Sequence, residues 1–282
     1  MRYSISSRFR GAVLGAMLGE NISTHSRQIS TFQAANCLIP GMRSLIELGR
    51  FEQQNWQEKL LPETLTSGFA PTIAIPLALF YHENELKLRQ NLLAASASIW
   101  QNEPIIQESI LAVGYAIAQA LSEKLTPAQL IPHILSFIET PQTDLAQKLI
   151  QVQTLLTQKA GLESALTQLN LNEPSTTAIA LGFYCFLSSQ EDFSLTVKRA
   201  LRLQQPLASA VAGALSGAYN SSTNIPSSWY ALATHQTSTE KEVLQLSDSL
   251  VAVWSGVYEY EVYRAEVISK AVVAAPGVIR SR

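Results

Sequence analysis

The sequence predicts an all-α protein that folds as a single compact multi-helix domain over residues 1–282. Apolar residues recur at helical three-to-four spacing along most of the chain, and sustained alternation of the strand type is absent. The joints between the periodic segments are short and polar. With 47% apolar residues, the chain can bury a large core in one domain.

The clearest periodic segment runs from Pro104 to Leu125, where an apolar stripe predicts an amphipathic helix. Thr126 and Pro127 then supply an N-cap and a first-turn proline for the next helix, and Pro132 is expected to kink its start.

Further helices are expected between polar joints. Ser189 and Asp192 form a capping-box pattern at one of these joints. The remaining predicted helices cover about 86–101, 143–170, 174–188, 191–203, 206–219 and 239–270, with looser segments near 20–35, 50–70 and 220–227.

Two predicted helices, in the segments 11–19 and 206–219, carry glycines at fourfold spacing. The glycines are Gly11, Gly15 and Gly19 in the first and Gly213 and Gly217 in the second. Because such a face lets another backbone approach closely, we expect both helices to pack in the interior through their glycine faces.

Charge and composition exclude several classes of function. A net charge of −2, a pI near 6.1 and the absence of a long Lys/Arg run argue against nucleic-acid binding. No span reaches the roughly twenty apolar residues that would cross a bilayer, so no membrane association is expected. The segment "GAVLGAMLG" follows three arginines, but its glycines and the lack of a cleavage site disfavour a secretory signal.

Cys37 and Cys185 lie in apolar surroundings, which favours two reduced, buried thiols and a cytoplasmic protein.

The side chains that usually carry catalysis are scarce. Of 22 acidic residues only three are aspartates, namely Asp144, Asp192 and Asp248, and they are far apart in sequence. The four histidines form no pair at metal-ligand spacing, and no glycine-rich phosphate loop is present. The sequence therefore predicts no metal site and no cofactor.

The stretch "RFRGAVLGAMLGE", from Arg8 to Glu20, resembles the opening signature RxxGxxxGxxxGD of the ADP-ribosylglycohydrolase family, with Glu20 at the position of the family's Asp. The stretch "EDFSLTVKRALRLQQPLASAVAGALSGAYNSSTNIPSSW" is similar to the family's late pattern in order and spacing. The resemblance implies an all-α domain with a central cleft. It also implies descent from enzymes that use two Mg²⁺ or Mn²⁺ ions to hydrolyse the glycosidic bond joining ADP-ribose to an acceptor.

The resemblance fails at the family's metal ligands. Alignment on Gly213 places the two late aspartates on Gln204 and Pro206 and the late threonine on Leu207. In the early motif T-D-D-T, the segment Phe69-Ala70-Pro71 replaces the first three residues and Thr72 alone remains.

Five residues are therefore expected to be remnants of the family's pocket, and none is assigned a catalytic role: Glu20, Asn21, Thr72, Gln204 and Gln205. Three functions stay open. In the first, the chain is a catalytically silent member of the family that binds an ADP-ribose-like ligand or a protein partner in the cleft, or that regulates such a partner. Alternatively, it is a metal-independent hydrolase with Glu20 as general acid or base. The third alternative is an assembly protein with a filled cleft, in which Phe69, Pro71 and Leu207 close the site.

Overall fold

The computed structural model describes residues 3–24, 33–60, 68–169, 173–229 and 238–257. Within these ranges the regular elements are α-helices and two short 3-10 turns, with no strand, which confirms the all-α class. The α-helices are α1 (Ile5–Thr24), α2 (Gln33–Leu48), α3 (Gln53–Lys59), α4 (Ala74–Tyr81), α5 (Glu85–Trp100), α6 (Pro104–Leu121), α7 (Pro127–Ile138), α8 (Leu145–Thr157), α9 (Leu162–Leu169), α10 (Pro174–Leu187), α11 (Phe193–Leu201), α12 (Pro206–Asn220) and α13 (Ser238–Ser255). The 3-10 turns are Ala70–Ile73 and Ser222–Asn224.

The helices α1 and α12 pack antiparallel through their glycine faces and form the most extensive helix pair of the described chain. The close contacts join Gly11 to Gly217, Gly15 to Gly213, and Gly19 to Ser209. A Cβ atom on Gly15 would lie only 2.0 Å from the carbonyl oxygen of Gly213. The two backbones therefore touch directly, and the predicted glycine packing in the interior is confirmed.

Helix α6 runs through the core, where it contacts α4, α5, α7, α12 and the first 3-10 turn. Among the described residues it is the one helix long and apolar enough to cross a membrane, but 72% of it is buried inside the domain. That degree of burial is typical of a core helix in a soluble domain.

The predicted helix 143–170 is two helices, α8 and α9. The backbone turns at Lys159, which adopts a φ of 53°, and Ala160 donates its N–H to the carbonyl of Leu155 at 2.9 Å. This left-handed ending is a common way to close a helix. Gly161 follows in open space, so the chain can change direction there.

Helix α2 is absent from the predicted helices, and α3 falls inside the segment predicted to be loose. The Pro40-Gly41 pair suggests a turn, but both residues lie within α2. A Cβ atom on Gly41 would lie 2.5 Å from the ring of Trp56, so the glycine makes room for α3 to pack against α2. Helix α3 begins with the side chain of Glu52 accepting the N–H of Asn55 at 2.7 Å.

Several helix ends agree with their sequence signals. Pro127 and Pro206 each stand in the first turn of a helix, and Thr126 is an N-cap, although its side chain makes no capping hydrogen bond. The capping-box interpretation at the start of α11 needs correction. Asp192 itself is the N-cap and accepts the N–H of Leu195 at 2.8 Å.

Helix α13 ends at Ser255, because Gly256 adopts a φ of 73° and Val257 donates its N–H to the carbonyl of Ala252 at 3.1 Å. The predicted uninterrupted helix 239–270 is therefore wrong at Gly256, and its part from residue 258 onward lies outside the described residues.

A buried ammonium group ties α8 to α10. Lys148 is 2% exposed, and its Nζ lies 2.9 Å from a carboxylate oxygen of Asp144. The same Nζ donates to the hydroxyls of Thr176 and Thr177 and to the carbonyl of Glu173, at 2.7 to 3.0 Å. Since its donors are all used inside the domain, we assign this lysine to the scaffold.

Candidate functional site

Glu20 follows Gly19, at the end of the glycine contact between α1 and α12, which we call the glycine seam. Its side chain links α1 to α2. Its side chain is 5% exposed, and its two carboxylate oxygens accept the backbone N–H groups of Gln33 at 2.8 Å and Ala34 at 2.9 Å. These are the first two residues of α2, whose N–H groups have no acceptor within the helix. Burial raises the pKa of Glu20, and the two hydrogen bonds from Ala34 and Gln33 lower it by less.

One turn further along, α2 reaches the early motif. The thiol of Cys37 lies 3.6 Å from the carbonyl oxygen of Phe69 and donates to it. That same carbonyl accepts the N–H and the hydroxyl of Thr72, at 2.9 and 2.8 Å. The Thr72 hydroxyl therefore closes the 3-10 turn from inside, and Thr72 is fully buried.

The three residues before Thr72 are also buried. Phe69 is 7% exposed, Ala70 is 1% exposed, and Pro71 is buried beside them. Phe69 belongs to the main hydrophobic core of the domain. In this turn the chain directs apolar groups inward.

The late motif forms the start of α12. Gln204 is exposed and has a φ of 54°, while Gln205 is the N-cap of α12 and makes no side-chain capping hydrogen bond. Within the described residues, two buried oxygens, the Oε1 atom of Gln205 and the hydroxyl of Ser209 one turn later, have no hydrogen-bond partner. Leu207 is 8% exposed and packs in the core.

The seam brings the early end of the chain to the late motif. Because Gly19 touches Ser209 and the helices run antiparallel, the last turn of α1 continues toward the first turn of α12. Contacts from Glu20 through α2 to Phe69 place Thr72 on the α2 side of the same end of the domain. The side chain of Asn21 lies outside the described residues, so its position in the pocket stays a prediction.

The donor set at this end differs from that of a metal centre. In the part of the chain that the structure describes, no three His, Cys, Asp or Glu side chains converge as metal ligands would. Glu20 is the one carboxylate among the predicted pocket residues, and both of its oxygens accept backbone N–H groups. Amide, proline, phenyl and alkyl groups occupy the positions that the sequence motifs predict to match the family's metal ligands.

A separate cavity of about 170 Å³ lies near the opposite end of α1. It is lined by Arg8, Ala120, Glu123, Leu125 and Tyr219. Arg8 donates to the carbonyl of Ala120 at 2.8 Å and pairs with Glu123 at 2.6 Å, and so it caps the end of α6. Arg8 and Glu20 are twelve residues apart on one helix, a separation of about 18 Å.

Sequence reasoning missed two contacts of this site, the capping of α2 by Glu20 and the contact of Cys37 with Phe69. Both join segments that are separated in sequence, and the helix that connects them was not predicted. An acidic residue ahead of an apolar helix start is the one signal that points to such a cap, but here it lies thirteen residues upstream of Gln33.

Comparison with known proteins identifies relatives by family and by fold. The family model described as ADP-ribosylglycohydrolase matches residues 40–259. A solved structure described as an ADP-ribosylglycohydrolase-related protein complex is similar, with a TM-score of 0.63 and 16% sequence identity. The similarity covers 89% of this chain and 99% of that one. No curated protein matches.

Proposed function

Because this chain belongs to the ADP-ribosylglycohydrolase family, we propose that it is a catalytically silent member that acts by binding rather than by metal-dependent hydrolysis. The observation that carries this proposal is the replacement of carboxylates in both metal motifs at once. In the motif alignment Ala70 and Pro71 stand at the two aspartate positions of the early motif, and Gln204 and Pro206 at those of the late one. A loss from both motifs is harder to explain by a local misalignment than a loss from one.

The chemistry of the donor set supports the same proposal. Two divalent ions leave water only where several oxygens, most of them charged, replace their hydration shell. Gln204 and Gln205 offer neutral amide oxygens, and Thr72 has its hydroxyl directed to the carbonyl of Phe69. These residues do not fit a pair of Mg²⁺ or Mn²⁺ ions.

The arrangement also disfavours the metal-independent hydrolase. A general acid or base must reach the proton that it transfers. The carboxylate of Glu20 is 5% exposed and directs both oxygens to backbone N–H groups of α2. We therefore give Glu20 a structural role.

Burial of the replacing residues favours a protein partner over a nucleotide. Phe69, Pro71 and Leu207 are the residues expected to close the cleft, and all three are buried. The similar solved structure is described as a protein complex, and we propose by extension that this chain also works within an assembly. Binding of an ADP-ribose-like ligand is the second candidate, because Gln205 and Ser209 keep unpartnered oxygens at the start of α12.

A thermal-shift titration with ADP-ribose, with and without Mg²⁺ or Mn²⁺, tests the proposal. In this titration we expect no metal-dependent rise in melting temperature. In a separate assay on ADP-ribosylated acceptors we expect no release of ADP-ribose. A shift with ADP-ribose alone would favour the nucleotide-binding candidate over the protein partner. A shift or a release that requires the metal would contradict catalytic silence, and an active metal-dependent family member serves as positive control.

A further inference from the structure

The carboxylate of Glu20 is a buried charge whose hydrogen bonds go to the start of another helix. Its oxygens lie 2.8 Å from the nitrogen of Gln33 and 2.9 Å from that of Ala34. The partial positive charge at a helix N-terminus favours such an anion. The position of the first turn of α2 relative to the end of α1 thus depends on one ionisable group.

Among the described residues, no positively charged side chain pairs with the carboxylate of Glu20. On α1 the nearest charged residue is Arg10, ten residues before Glu20, and on α2 it is Arg43, ten residues after Gln33. Helix α12, which meets the end of α1 at Ser209, has no charged residue, and neither has the first 3-10 turn. Helices α11 and α13 also pack against α1, but Lys198 lies over the ring of Trp229, Arg199 donates to the carbonyl of Ser188, and Asp248 and Glu242 pair with Arg10 and Arg43. In the described part of the chain, the charge of Glu20 is therefore stabilised chiefly by backbone N–H groups.

We propose that Glu20 is an acid-labile clasp: the ionised carboxylate holds the first turn of α2 against α1, and uptake of one proton releases that turn. The proton converts one oxygen into an O–H donor and removes the charge that attracts the helix N-terminus. At least one of the N–H groups of Gln33 and Ala34 then loses its acceptor.

Burial raises the pH at which Glu20 takes up this proton. It raises the pKa of Glu20 above the ordinary value of 4.5, despite the hydrogen bonds from Ala34 and Gln33. The two hydrogen bonds keep the pKa of Glu20 lower in the closed state than in a released state in which the carboxyl stays buried, so proton uptake shifts the equilibrium toward release as the pH falls toward 4.5.

Release would be transmitted to the end of the domain that carries the pocket remnants. The first turn of α2 leads directly to Cys37, whose thiol contacts the carbonyl of Phe69. Phe69 in turn holds Thr72. If the proposed function is correct, on which this step alone rests, binding at this end weakens at mildly acid pH.

Amide hydrogen exchange of the full chain tests the clasp without any ligand, so its failure is separate from a failure of the proposed function. The protection factors of Gln33 and Ala34 should fall about tenfold in Glu20→Gln, because one charged acceptor is lost. In the wild-type chain the same two factors should fall as the pH drops toward 4.5. Unchanged protection in either experiment would overturn the proposal, and the wild-type titration decides it alone if the variant does not fold.

Two controls isolate Glu20. Asp192→Ala removes the side-chain cap of α11 and should lower the protection of Leu195 while leaving Gln33 unchanged. His25 and Arg27 lie outside the described residues, and His25→Gln and Arg27→Gln should leave the pH at which protection is lost unmoved. A midpoint that follows His25 or Arg27 rather than Glu20 would contradict the assignment.

The sign of the global stability distinguishes a clasp from general acid unfolding. A carboxyl group with a raised folded pKa contributes stability at low pH that is lost as the pH rises through that pKa. Relative to Glu20→Gln, the wild-type domain should therefore gain global stability as the pH falls toward 4.5, while Gln33 and Ala34 lose local protection. A parallel fall of both quantities would refute local release.

Discussion

The glycine seam makes a quantitative prediction for Gly213→Ala. A Cβ atom at this position would lie 2.0 Å from the carbonyl oxygen of Gly15 and 2.7 Å from its carbonyl carbon. To restore ordinary contact at 3.4 Å, the two backbones would have to separate by about 1.4 Å. Neither helix can do this locally, because Gly11 and Gly19 make equally close contacts on either side.

We expect Gly213→Ala to reduce the free energy of unfolding by about 1–3 kcal/mol, the usual cost of overpacking a core. This is a net loss. Alanine itself favours a helix over glycine by roughly 1 kcal/mol, so the steric cost of the substitution is larger than the net loss by about that amount. At about 2–4 °C per kcal/mol, the melting temperature should fall by several degrees. Gly213→Leu should be more severe.

Gly161→Ala is the matched control, because nothing lies within 4 Å of a Cβ atom there and the residue does not need a positive φ. Its stability should stay within about 0.5 kcal/mol of wild type. Differential scanning calorimetry of the two variants provides the comparison. A melting temperature for Gly213→Ala equal to or above that of Gly161→Ala would refute direct backbone contact between α1 and α12.

Three other substitutions or treatments have defined outcomes. Ser221 is buried with φ 65° and ψ 169°, a conformation that glycine adopts far more easily, and its hydroxyl accepts the N–H of Thr223 at 3.2 Å. Ser221→Gly should therefore be about 1 kcal/mol more stable in urea denaturation than Ser221→Ala, which loses the same hydrogen bond but keeps the strain; equal stability of the two variants would contradict the strain. Lys148→Ala leaves the partly exposed Asp144 and the hydroxyls of Thr176 and Thr177 without their buried donor and should cost about 1–3 kcal/mol, and an unchanged stability would count against the network. Burial raises the pKa of Cys185 to about 12, and Cys37 is fully buried, so neither thiol should react with a disulfide reagent at pH 8 until urea unfolds the chain. Rapid labelling of one thiol in the native protein would show that its burial is wrong.

The parts of the fold that follow from local spacing could be predicted from sequence. Glycines at fourfold spacing form one face of a helix whatever the rest of the chain does, and two such faces have few ways to pack other than against each other. Pro206 likewise indicates the start of α12, since proline is favoured in the first turn.

The parts that depend on tertiary contacts could not be predicted. Pro40 and Gly41 suggest a turn by local rules, yet α2 continues through them because its apolar face is buried and Gly41 accommodates Trp56. The role of Glu20 depends on a helix that begins thirteen residues later, and no pattern within α1 indicates that contact. The residues of the candidate site could therefore be named from the motifs, but their hydrogen-bond partners could not.

The central claim is that both metal motifs have lost the carboxylates needed to hold two divalent ions. Isothermal titration calorimetry of the full chain with Mn²⁺ tests it most directly, since binding is measured without assuming a substrate. We predict no saturable heat at micromolar metal, because Ala70, Pro71, Gln204 and Pro206 stand at the positions aligned with the carboxylates. Saturable binding of two ions per chain with micromolar affinity would contradict it.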